Sequence, residues 1–250
     1  MRFTIEKHIV FLGLVVLFPL ICTSQSTFKS SRATYYDSPD DYGNPRGACG
    51  FGEYGRTVNY GNVAGVSRLY RNGTGCGACY QVTCTNPRYC SYDGVNIVVT
   101  DYGQGDRTDF ILSSRAYTKL AKPNMALELF ALGVVDVEYR RISCKFSGYN
   151  LMFKVNENSR YPQYLAIIIL YAEGQNDITA VELSQENDDE WKPMRKAFGA
   201  VFDFSNPPEG SISLRFQVKG SAGNTWVQSN NAIPSYWKPG AAYDSNIQLT

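Results

Sequence analysis

The side chains in this chain that could do chemistry are carboxylates. Asp40 and Asp41 precede a Gly-Ala-Cys-Gly turn, Asp101 follows the apolar run Val95-Asn-Ile-Val-Val-Thr100, and Asp109 opens Asp109-Phe-Ile-Leu-Ser113. Two carboxyls flanking a glycosidic bond can hydrolyse it, at roughly 5–5.5 Å apart with retention or 6.5–9.5 Å with inversion. One must then hold a proton beside an ionised partner. Most other chemistries are closed. The one histidine, His8, falls in an N-terminal leader, so the mature chain has none. That excludes Ser-His-Asp catalysis, Cys-His catalysis and any histidine-ligated metal site. Gly103 and Gly105 form no phosphate cradle, because no helix start follows at the required spacing. No metal or organic cofactor is implied.

The elements that must position these carboxylates come in two unlike halves. Six cysteines lie between Cys49 and Cys144, and the chain beyond them has none. An even set in an oxidising compartment pairs rather than serving as nucleophiles, although spacing alone leaves the pairing open. The seventh, Cys22, lies at the end of a short basic start, a dozen apolar residues and the small residues Cys22-Thr23-Ser24. This is the layout of a secretory signal peptide over 1–24, with the mature chain beginning near Gln25. The apolar run is too short for a membrane span. The whole chain carries 24 basic and 23 acidic residues, and loss of Arg2, Lys7 and Glu6 leaves it near neutral. Nothing in that balance favours nucleic acid or an anionic membrane as partner.

Length suits two modest domains, and the composition favours an all-β chain. Gln163-Tyr-Leu-Ala-Ile-Ile-Ile-Leu-Tyr171 reads as a buried strand. Ala200–Phe204 and Ser211–Val218 alternate with period two, as strands with one wet face do. A helix is predicted from Ser113 to Leu120, capped by Ser113 or Ser114 and stopped at Lys122-Pro123. A boundary after Cys144, near the Ser147-Gly148 turn, divides 28–144 from 148–250.

The cysteine rhythm is specific: Ala48-Cys-Gly-Phe51, then Gly75-Cys-Gly-Ala-Cys-Tyr-Gln-Val-Thr-Cys84, Cys90, Thr100-Asp101 and Arg141-Ile-Ser-Cys144. In these elements the sequence resembles the expansin family of plant cell-wall proteins, over the whole mature chain. The resemblance implies a six-stranded double-psi β-barrel akin to family-45 endoglucanases, followed by an immunoglobulin-like β-sandwich that binds polysaccharide. It also implies the pairs Cys49–Cys76, Cys79–Cys144 and Cys84–Cys90. Where the family carries His-Phe-Asp-Leu-Ser, this chain has Asp109-Phe-Ile-Leu-Ser113. The acid-like position is thus Ile111, which cannot donate a proton, and Asp109 stands two residues away.

Polysaccharide-cleft candidates are therefore Thr34 and Tyr36, in Thr34-Tyr35-Tyr36, with Asp41, Asp101 and Asp109. In the second domain, Phe198, Phe202 and Phe204 share parity. The resemblance brings Phe198, Phe202 and Tyr164 together as an aromatic platform for stacking on sugar faces. Plainer readings exist for each: Tyr35 or Tyr36 in the core, Asp101 capping its own turn, Asp40 and Asp41 as solvated loop charges, the phenylalanines lining the sandwich. Trp191 and Trp226 read as core or edge packing, and Trp237 as structural. Asn72-Gly-Thr74 is a glycosylation sequon.

The expected function is that of a secreted, monomeric expansin-like protein of the expansin-like B type. It would bind cellulose or xyloglucan-type glucans in the cell wall and loosen or modify the wall without cutting bonds, as a non-enzyme. Two readings compete. One is a glycoside hydrolase using Asp101 with Asp109 or Asp41. The other is a barwin-like defence or signalling protein, against which the complete second domain argues.

Overall fold

The computed structural model describes residues 27–105, 108–185, 190–220 and 223–249; the leader over 1–24 lies outside the described residues. The expected all-β architecture of a six-stranded barrel followed by a β-sandwich is what the chain adopts. The barrel strands are β1 (Lys29–Tyr36), β2 (Val63–Val66), β3 (Cys79–Cys84), β4 (Val95–Tyr102), β5 (Phe110–Ser113) and β6 (Val135–Ile142). They close in the order β1-β5-β2-β4-β3-β6, with β1–β5 and β2–β4 parallel. Closure leaves no free sheet edge to template pairing with another chain. Alternation selects the interior: Phe110 and Leu112 of β5 are fully buried, while Ile111 between them turns outward. Tyr35 packs in the same core, against Tyr117 and Phe130.

Three short helices decorate the barrel: α1 (Glu53–Thr57), α2 (Ser114–Thr118) and α3 (Ala126–Leu132). The predicted helix after Ser113 is α2, and the Ser113 hydroxyl accepts from the Ala116 amide at 3.2 Å as its cap. The structure joins Cys49 to Cys76, Cys79 to Cys144 and Cys84 to Cys90.

In the sandwich, one sheet takes β7 (Met152–Val155), β8 (Tyr164–Leu170), β11 (Arg195–Phe198), β12 (Val201–Ser205) and β15 (Ala242–Asp244). The other takes β9 (Asp177–Gln185), β10 (Lys192–Pro193), β13 (Ile212–Gly220) and β14 (Gly223–Ile233). The continuous apolar run of β8 has a two-sided cause. Leu165, Ile167 and Ile169 face the sandwich core, while Ala166, Ile168 and Leu170 share a core with the barrel. A strand covered on both faces has no place for alternation. On the open side of the other sheet, Trp191 and Trp226 flank the Arg215 guanidinium at 4.6 and 4.9 Å, so these two tryptophans lie outside the core; Trp237 is inside it.

Polar contacts complete the seam between the two domains. Asp177, at the start of β9, takes Arg71 Nη1 at 2.6 Å and Arg141 Nη2 at 3.0 Å, both from the barrel. The Tyr171 amide donates to the Tyr54 hydroxyl at 3.2 Å, and the Ala200 amide to the Cys49 carbonyl at 3.0 Å.

Three carboxylates tied to arginines, Asp109, Asp177 and Asp203, have lowered pKa values and so link stability to acid pH. Hydrogen bonds from Arg68 hold Asp109 below the usual carboxylate range despite burial, and Arg195 does the same for Asp203. Burial opposes ionisation of Asp177, but hydrogen bonding from Arg71 and the nearby guanidinium charges win, and its pKa is lowered as well. The unfolded chain therefore takes up protons first as pH falls. The stabilisation is complete above the ordinary carboxylate range of about pH 4 and is lost below it. Melting temperature followed by circular dichroism should stay nearly level from neutral pH to about pH 5 and fall steeply below about pH 4. A steep loss between pH 7 and 5 would contradict these ion pairs.

Candidate polysaccharide-binding cleft

Strand pairing writes the floor of the site. Thr34 on β1 lies opposite Ile111 on β5, Ile111 opposite Gly65 on β2, and Gly65 opposite Asp101 on β4. Residues directly opposite one another share a face, so these four form one row across the barrel wall. Ile111 and Asp101 stand two strands apart, with backbones about 9–10 Å from each other. Between them the wall is glycine. Gly103 leaves further room, since a Cβ there would meet Ile111 Cδ1 at 2.7 Å.

Above this floor lies a cleft of about 620 Å³, lined by Tyr36, Asp40, Asn44, Arg56, Asp101 and Ile111 among others. Asp101 is fixed by its neighbours. Its carboxylate accepts from the Ala48 amide at 2.6 Å, the Tyr102 amide at 2.8 Å and Asn44 Nδ2 at 3.1 Å. It thus caps its own turn and also ties the Gly47–Gly50 loop to β4. Burial pushes the Tyr36 hydroxyl well above its ordinary range, and the Asp101 charge adds to the effect. Tyr36 is therefore a neutral hydroxyl beside a carboxylate. Asp40 is held by the Arg56 guanidinium.

Two cleft candidates, Asp41 and Asp109, are placed elsewhere, and Thr34 stands at the end of the floor row without lining the cleft. Asp41 sits in a left-handed turn outside the cleft, and its neighbour Asp40 supplies the carboxylate that lines it. Thr34 turns its hydroxyl to the Gly133 carbonyl at 2.8 Å and so is bound into the barrel wall. Asp109 is buried beneath Arg68, with Nε at 2.8 Å and Nη2 at 2.6 Å, and takes Ser31 Oγ at 2.7 Å. It lines a separate recess rather than the cleft. Arg68 and Tyr102, which shape that recess, escaped the sequence reading. Arg68 is far from Asp109 in sequence and no local pattern links them; Tyr102 lay next to a candidate and was legible by proximity.

The aromatic platform also needs correction. Phe202 is 4% exposed and belongs to the sandwich core, whereas Phe198 is 52% exposed. Parity fails because Gly199-Ala200 turns the chain, so β11 and β12 are separate strands paired as a hairpin. Phe198 lies opposite Val201, and Tyr164 opposite Ser205, which places both aromatic residues on the face of the sheet that looks away from Phe202. Between them, Asp203 receives the Tyr164 hydroxyl at 2.8 Å and Arg195 Nε at 2.9 Å. The hairpin docks on the loop that carries Ala48. Gly50, at φ 77°, permits this, since a Cβ there would stand 2.6 Å from Val201 Cγ2 and 2.8 Å from Phe198 Cε2. Phe198 thus continues the line that runs from Ile111 through Asp101 and Ala48.

Asn72 of the sequon is exposed in a tight turn spanning Arg68–Gly73, next to Arg71 of the seam. Among the described residues, no three His, Cys, Asp or Glu side chains converge as a metal site would require, and no helix is long and apolar enough to cross a membrane.

The architecture is a barrel with a surface cleft, packed against one face of a sandwich sheet that carries Phe198 and Tyr164. A profile described as Expansin C-terminal domain matches residues 151–234, and one described as Lytic transglycolase matches 62–139. Expansin-like B1 of Arabidopsis thaliana is 57% identical, over 97% of this chain and 97% of its own length. Expansin-like B1 of Oryza sativa subsp. japonica is 43% identical, over 98% and 97%. The chain belongs to the expansin family. Among solved structures, an apo Clavibacter michiganensis expansin superposes with a TM-score of 0.65 at 18% identity, covering 88% of this chain and 97% of that one. A mutant Clavibacter michiganensis expansin in complex with cellohexaose matches with the same score and identity, over 88% and 96%.

Proposed function

We propose that this protein is a secreted, monomeric cell-wall protein that binds neutral glucan along the barrel cleft and onto Phe198 and Tyr164, and that loosens or modifies the wall without hydrolysis. The observation that carries the reading is the row Thr34–Ile111–Gly65–Asp101. It offers one carboxylate, and across the glycine an alkyl side chain that cannot donate a proton. A glycoside hydrolase would need a second carboxyl in the cleft, facing Asp101. Asp40, the other carboxylate lining the cleft, is taken up by the Arg56 guanidinium; Asp109 is a poor partner, being buried outside the cleft and held ionised by Arg68, and Asp41 lies outside it too.

What remains is binding chemistry. Tyr36 and Asn44 offer hydrogen bonds, Asp101 accepts them, and Phe198 offers a stacking face. A glucan held this way exchanges contacts with neighbouring glucans for contacts with the protein, and no covalent intermediate forms. The cellohexaose complex of a structurally similar expansin supports a glucan as ligand. Asn72, exposed near the seam, is the glycan acceptor in this reading.

Calorimetric titration with cellohexaose tests the proposal. Tyr36→Phe and Asp101→Asn should each weaken binding, by about threefold to tenfold for a lost hydrogen bond. Wild-type affinity in both variants would remove the cleft from the binding path.

A further inference from the structure

A second hollow of about 500 Å³ opens beside the cleft, and the two share only Tyr102. It is lined by Ser67, Arg68, Gln104, Gly105, Thr108 and Asp109 besides Tyr102. Nothing in the cleft reading uses these side chains.

Two of them are arranged at a cost to the free protein. Thr108 is 3% exposed, and its Oγ1 has no hydrogen-bond partner among the described residues. A buried hydroxyl without a partner destabilises the fold and calls for an explanation. Arg68 is the opposite case. Its side chain is 82% exposed yet fixed, because Nε and Nη2 are both bound by the buried Asp109 carboxylate. Ser67 Oγ also reaches Asp109, at 3.2 Å. Arg68 lines the recess with Nη1 left over from the Asp109 pair, and its guanidinium need not be ordered on binding. Hydrogen bonds from Arg68 hold the Asp109 carboxyl below the usual carboxylate range.

The chemistry of this set is that of a neutral sugar. Asp109 cancels the charge of Arg68, which leaves a fixed planar donor, the buried unpartnered Thr108 hydroxyl, the Gln104 amide and the half-exposed Tyr102 ring packed against Tyr70 at 5.2 Å. Position separates the recess from the backbone path. The cleft runs from Ile111 past Asp101 and Ala48 towards Phe198, and the recess leaves that line at Tyr102 on the Arg68 side.

We propose that the recess is a branch subsite, taking a neutral monosaccharide side group of a glucan whose backbone lies in the cleft, with Tyr102 at the junction. This rests on the glucan-binding reading above and makes a branched glucan the preferred ligand.

Titration with cellohexaose and with a xylosyl-branched cello-oligosaccharide of the same backbone length tests it. Wild type should bind the branched probe more tightly. Thr108→Val keeps the side-chain shape and removes the hydroxyl. It should weaken binding of the branched probe about fivefold, the loss of one hydrogen bond, and leave cellohexaose unchanged. Its melting temperature should be equal to or above that of wild type, because an unpaired buried hydroxyl is gone. Opposite signs for stability and branch binding are what a merely structural threonine would not give. If Thr108→Val affects both probes equally or neither, the recess is not a branch subsite. Cellohexaose binding with no gain from branches would also overturn the subsite while leaving the glucan reading in place. Failure of wild type to bind either probe would overturn both.

Discussion

Phe202→Ala is expected to unfold far below wild type, with a loss of about 3–5 kcal/mol, while Phe198→Ala melts close to it and releases insoluble glucan. The two residues sit four apart in sequence and belong to different worlds. Phe202 is packed among the sandwich residues and paired opposite Ile167, so truncation leaves a cavity that its close-packed neighbours fill only in part. Phe198 is half exposed at the hairpin turn, where loss of the ring removes a stacking surface and little buried area. Thermal unfolding and retention on cellulose, measured on both variants, give a crossed pattern: stability falls in one and binding in the other. Equal destabilisation would mean that Phe198 is a seam-packing residue and no platform. Unchanged retention in a stable Phe198→Ala would remove the second domain from the binding surface.

The second large effect concerns the crosslink at the seam. Replacing Cys79 and Cys144 together by serine opens a loop of 65 residues, and chain entropy puts the loss at about 4 kcal/mol. Opening Cys84–Cys90, which spans 6, costs about 2 kcal/mol on the same basis. The long bridge also backs the docking of the sandwich. The Cys79 amide donates to the Gly174 carbonyl at 3.2 Å, and the Cys144 amide donates to the Glu173 carbonyl at 2.5 Å. Urea unfolding of the two double-serine variants should therefore rank them in that order. The short bridge proving the more costly would contradict the entropic basis and place the weight on local packing around Cys84 and Cys90.

Much of this was legible in sequence, and the exceptions share a cause. Period-two alternation identified β13, where Ile212, Leu214, Phe216 and Val218 face the core, because a strand with one wet face writes its burial directly into its residues. The unbroken apolar run of β8 marked it as buried but could not say that its second face meets the barrel. Parity misled at Phe198 and Phe202, since it holds only while a strand runs straight, and Gly199-Ala200 turns it. The carboxylates show the limit most clearly. Asp101 was identifiable from its place after an apolar strand. What made Asp109 unsuitable as its partner was Arg68, 41 residues earlier in the chain, whose approach depends on barrel closure. Ile111 cannot donate a proton wherever it stands, but that it faces Asp101 across Gly65 is a matter of strand register.

The most direct test of binding without hydrolysis is a paired assay on the purified protein. Retention on cellulose and on xyloglucan-coated cellulose is measured alongside reducing-sugar release from the same samples. The expected result is retention with no release above a protein-free control. Release that disappears in Asp101→Asn would contradict it, making the cleft a catalytic site with a carboxyl partner for Asp101 that the register of β2, β4 and β5 does not provide.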